Sequence, residues 1–84
     1  MEFGSRADKL IKGLKTFTKT PRDYPRGDVE VVLKSLGFNY SRTHGSHRIY
    51  RNQHGDVFEF VGKSHTVDPA TVEQLRTWVE KVNR

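Results

Sequence analysis

The period of the apolar residues changes at Gly37, and that change decides what the chain can fold into. Before it, Val29, Val32, Leu33 and Leu36 recur at the three-and-four spacing that lines one face of a helix. After it come three short runs rich in aromatic and β-branched residues: Phe38 to Thr43, His47 to Arg51 and Val57 to Val61. Such residues suit pleated strands. Gly37 stands where a helix takes a left-handed residue to end. Gly45 and Ser46 separate the first two runs, and Asn52 to Asp56 separate the second from the third. Both breaks read as hairpin turns, so the three strands form an antiparallel meander.

Helices flank this meander. The one ending at Gly37 starts at Pro25 or Arg26, with Pro25 in a first-turn position that tolerates its missing N–H. A closing helix begins with Asp68 as N-cap and Pro69 as first residue. It buries Val72, Leu75, Val79 and Val82, flanks them with Trp78, and runs to about Lys81. A further helix, from about Arg6 to Phe17, carries Leu10, Ile11, Leu14 and Phe17 on one face and Lys9, Lys12, Lys15 and Lys19 opposite. Two prolines make Thr18 to Pro25 a linker, which leaves that first helix free to pack loosely. Gly62 to Val67 reads as a loop. The fold class is α+β: an N-terminal helix, then α-β-β-β-α. The three-stranded meander carries its helices on one face, as in the double-stranded-RNA-binding domain. Residues 1–5, Met1-Glu2-Phe3-Gly4-Ser5, read as a cloning-site scar. Residues 6–24 form the N-terminal helix and linker, and residues 25–84 the domain proper. Strand alternation leaves the buried sheet face open, because Phe58 and Phe60 oppose Val57, Glu59 and Val61.

A chain of 84 residues holds one small domain. It has no cysteine, which excludes disulfides and thiolate metal sites and suits the cytoplasm. Its apolar runs are too short for a membrane span. Lys and Arg number 15 against 10 Asp and Glu, a net charge of +5. That balance attracts RNA, DNA, an anionic membrane or an acidic protein.

Four histidines carry the available acid–base chemistry. His44 and His54 read as exposed turn residues. His47 opens a strand directly after the Gly45-Ser46 turn, and His65 precedes the closing helix, close to Lys63. The His-x-x-His spacing of His44 and His47 is weak evidence for a metal, since structural zinc takes four ligands. No nucleophile elbow, phosphate-binding glycine loop or paired acidic site is present, and no cofactor is implied. RNA suits so sparse a site, because its own 2′-hydroxyl supplies the nucleophile. A base and nearby cations suffice. His47 is the candidate base, with Arg48, Arg51, Lys63 and His65 as charge partners. Arg42, Arg48 and Arg51 interleave with Tyr40 and Tyr50 on the first two strands, a pattern suited to phosphate contact and base stacking. The same tyrosines also fit half-buried strands, and His47 also reads as a hydrogen-bonded strand histidine.

Leu36-Gly37-Phe38, Gly45-Ser46-His47-Arg48-Ile49-Tyr50-Arg51, the following Gly-Asp turn and Val57 to Val61 resemble the HicA toxin family, over about Asp28 to Val82. The resemblance implies a double-stranded-RNA-binding-domain-like fold and metal-independent cleavage of mRNA by an endonuclease, an mRNA interferase. It implies His47 as the catalytic residue and inhibition by a HicB-type antitoxin that covers the site. Gly45, Ser46, Arg48, Tyr50, Arg51, Lys63 and His65 would support it. The family's Pro-x-His after the third strand corresponds to Gly62-Lys63-Ser64-His65, without the proline. The extra segment from Arg6 to Tyr24 would be a lid, a dimer contact or a partner-binding arm. A protein of this fold that binds RNA, or an acidic protein, without cutting remains the alternative.

Overall fold

In the computed structural model, residues 5–82 are described. The expectation that residues 1–5 are a cloning-site scar falls outside the described residues apart from Ser5, whose hydroxyl accepts a hydrogen bond from the Asp8 N–H and caps the first helix. That helix is α1 (Arg6–Thr16), followed by β1 (Tyr24–Pro25), α2 (Arg26–Ser35), β2 (Asn39–His44), β3 (His47–Arg51), β4 (Val57–Val61), β5 (Thr66–Val67) and α3 (Pro69–Val82). Strands β2, β3 and β4 form one antiparallel sheet in that order. The architecture is the α+β meander expected, consistent with the double-stranded-RNA-binding-domain-like fold. Among the described residues no helix is long and apolar enough to cross a membrane.

Helix α2 ends as its sequence dictates. Gly37 takes φ +95°, the Gly37 N–H bonds the Lys34 carbonyl, and the Phe38 N–H bonds the Leu33 carbonyl. This pair of bonds is the Schellman closure, and it turns the chain directly into β2. Pro25 is the residue before the helix, with extended backbone. At α3, Asp68 caps as expected: its Oδ1 accepts from the Thr71 N–H at 2.9 Å and the Thr71 hydroxyl at 2.6 Å.

The sheet ambiguity resolves toward the phenylalanines. Phe58 and Phe60 are buried with Val29, Val32, Leu33, Phe38, Val72, Leu75 and Val79, so α2 and α3 cover that face. The other face carries Val57, Glu59 and Val61, all exposed.

Three expectations need correction. Leu14 is only 1% exposed and belongs to the main core, with Leu10, Ile11 and Phe17 packed against it, so α1 is not a loose appendage. The linker and the pre-helix loop are not wholly irregular, because Tyr24 and Pro25 pair with Val67 and Thr66. The Arg26 N–H adds a 2.8 Å bond to the His65 carbonyl. A two-residue pairing is too short to leave a periodic trace in sequence. Val82 is 50% exposed, at the edge of an open cleft that it lines with Asp8, Ile11, Ser35 and Leu36.

Candidate active site

The site begins with a turn. His44 and His47 face each other across β2 and β3, leaving Gly45 and Ser46 as a two-residue hairpin loop. Gly45 takes φ +65° and, among the described residues, no non-glycine residue has positive φ, the glycine-first pattern of a type II′ turn. The Gly62 N–H donates to the Ser46 carbonyl at 2.8 Å, so the segment leaving β4 is tied to this turn. Gly62 itself is pressed against Arg48: a Cβ there would stand 2.6 Å from the Arg48 Cδ.

His47 lies at the head of β3 on the open face of the sheet. Its Nδ1 is 3.0 Å from Glu59 Oε2, and both side chains are about half exposed. Beside them is a cleft of about 330 Å³. His47, Glu59 and Val61 line one side, and Asp68, Thr71 and Gln74 at the start of α3 line the other. The Thr71 hydroxyl and N–H hold the Asp68 carboxyl below the usual carboxylate range, so that group stays an anion and a cap. His44 is exposed opposite His47, and among the described residues no three His, Asp or Glu side chains converge as a metal site.

Register decides which cations accompany His47. Arg42 pairs with Ile49, and a bulge between Tyr40 and Arg42 shifts the strand by one residue. Tyr40 and Arg42, two apart in sequence, therefore end on opposite faces. Arg42 shares the open face with His47, roughly 8 Å away by strand spacing. Arg51 shares that face too, at roughly 13 Å along β3. Between them lies Ile49, which is 7% exposed and stands apart from the main core. Lys63 and His65 are exposed in the segment that the Gly62–Ser46 bond holds beside the turn.

Arg48 and Tyr50 are not brought to this face. Arg48 Nη1 lies 3.4 Å from Glu30 of α2, and its guanidinium sits 5.9 Å from the Tyr40 ring centre. Tyr50 is 6% exposed, stacked on Phe60 and edge-on to Tyr40. Burial, reinforced by the Glu30 carboxylate, raises its hydroxyl above the ordinary range. The expected basic and aromatic surface is thus split between two faces, because adjacent strand residues alternate and the bulge breaks that alternation once. Sequence reasoning passed over Glu59. Its signal was the strict alternation Phe58-Glu59-Phe60, which places Glu59 on the His47 face once the phenylalanines are known to point inward.

A family model described as HicA toxin of bacterial toxin-antitoxin matches residues 26–77, from the first residue of α2 into α3. No curated protein and no solved structure matches the chain.

Proposed function

The chain belongs to the HicA toxin family of bacterial toxin-antitoxin systems, and from that premise we propose that it is an endoribonuclease cleaving mRNA with His47 as its acid–base group. The observation that carries this reading is the His47 imidazole, half exposed on the cleft wall with its Nδ1 3.0 Å from a Glu59 carboxylate oxygen. RNA brings its own nucleophile. His47 takes the proton of a 2′-hydroxyl, and the freed oxygen attacks the adjacent phosphorus. The bond to the 5′-oxygen breaks, and that oxygen receives a proton. The products are a 2′,3′-cyclic phosphate and a 5′-hydroxyl, with no metal needed to create the nucleophile.

Arg42 is the cation nearest to His47 on the open face by register, and it stabilises the charge gathering on the phosphorane. Lys63 and His65 approach from the segment beside the turn, and Arg51 holds a neighbouring phosphate of the same strand. Arg48 and Tyr50 support the site from behind by fixing β3 against α2 and β4. Gly45 and Ser46 set where His47 begins. The exposed Val57 and Val61 flank Ile49 on the open face, a surface suited to a HicB-type antitoxin that covers His47. The substrate sets the activity in the cytoplasm. The chemistry is tested by end-group analysis of RNA incubated with the protein in EDTA. Cyclic phosphate termini are expected. Binding without cleavage, weakening steeply with salt, would replace this reading with a binding module.

A further inference from the structure

His47 and Glu59 are not direct cross-strand partners. Glu59 stands opposite Ile49 and His47 opposite Val61, so their contact runs diagonally across β3 and β4. Diagonal neighbours sit about 7–8 Å apart at the backbone, and these two side chains close the gap to 3.0 Å at Nδ1 and Oε2. The contact is an ion pair rather than an aligned hydrogen bond, but a carboxylate this close to Nδ1 repels a lone pair there and favours a proton on that nitrogen. In the neutral ring, Nε2 is then the bare nitrogen. A free imidazole in water favours the opposite tautomer, with its proton on Nε2 and no lone pair there.

We propose that Glu59 is a positioning residue that holds His47 in the Nδ1–H tautomer, making Nε2 the atom that accepts the 2′-hydroxyl proton. This rests on the ribonuclease reading above, but the tautomer it assigns exists without substrate. When Nε2 takes the proton, the ring becomes an imidazolium, and the Glu59 carboxylate beside it stabilises that charge. The same carboxylate repels the phosphates of bound RNA. Glu59 therefore aids the chemical step while weakening binding, a split that a purely structural residue does not produce.

The test uses Glu59→Ala and Glu59→Gln. The glutamine keeps a carbonyl oxygen for Nδ1–H and loses the charge, whereas alanine loses both. Nitrogen-15 spectra of the neutral His47 ring should show Nδ1–H in the wild type and Glu59→Gln, and mainly Nε2–H in Glu59→Ala. With RNA, Glu59→Ala should lower kcat by about 10–100-fold while KM stays level or falls, and Glu59→Gln should recover part of kcat. An unchanged tautomer in Glu59→Ala, or equal losses of kcat in the two variants, overturns the assignment. If the wild type cleaves no RNA while the tautomer responds as stated, the ribonuclease reading fails and the pairing survives. Glu59 is half exposed, so both variants keep the fold, which their thermal unfolding verifies.

Discussion

Replacing Gly45 by alanine isolates the backbone requirement of the turn that presents His47. A Cβ at this position meets nothing within 4 Å, and the residue holds φ +65°. Steric crowding by neighbours is absent, so the cost is conformational. Placing an L-residue in left-handed backbone costs about 1–2 kcal/mol. The stiffer unfolded chain returns about 0.4–1 kcal/mol of that, leaving a net loss of about 1 kcal/mol. For a chain of this size, that lowers Tm by about 4–8 °C. Calorimetry of Gly45→Ala measures it. D-alanine at position 45, introduced by semisynthesis, is the control. It accepts positive φ without strain and should be no less stable than wild type. Gly13→Ala is the opposite case, since Gly13 lies inside α1 with open space around its Cβ position. It should gain about 1 kcal/mol of helix propensity. Equal effects of L- and D-alanine at Gly45 would refute the argument, because handedness is its whole content.

Tyr24 and Arg42 give two further tests. Burial, with the Asp28 carboxylate adding to it, pushes the Tyr24 phenol up to about 12 from 10.0. A raised phenol contributes stability that is complete below its unfolded value and is lost as pH rises from 10 toward 12. The Tyr24 hydroxyl is also buried without a hydrogen-bond partner among the described residues. Tyr24→Phe should therefore match or exceed wild-type stability by up to about 1 kcal/mol near neutrality. Urea midpoints at rising alkaline pH should show its advantage growing, and a constant difference would contradict the burial assigned to this group. Arg42→Ala should weaken single-stranded RNA binding and lower the log–log salt slope by about 0.7, with Tm unchanged because the side chain is exposed. An unaltered slope would remove Arg42 from the phosphate path.

Much of this fold is legible in sequence because its signals are local. The Leu36-Gly37-Phe38 junction, the Asp68-Pro69 start and the Gly45-Ser46 turn each depend on residues within one turn of chain, and each occurs where its chemistry demands. What sequence obscured was non-local. The sheet face turned toward the helices depends on which side α2 and α3 dock, and only that docking places Glu59 beside His47. The bulge at Ser41 offers no compositional mark, yet it separates Tyr40 from Arg42. The pairing of Tyr24 and Pro25 with Thr66 and Val67 joins segments about forty residues apart, and each alone reads as loop. The turn bearing His47 was thus plain in sequence, whereas the partners surrounding it were set by packing.

The central claim is that His47 carries the proton in RNA cleavage. The direct measurement is the rate of single-stranded RNA cleavage in EDTA by wild type and His47→Ala at matched folded concentration. His47 is about half exposed, so its truncation opens no core cavity and the variant should unfold at the wild-type temperature. The account predicts a rate loss of about 10²–10⁴-fold, the usual worth of a positioned acid–base group. Cleavage by a folded His47→Ala protein at the wild-type rate would contradict it.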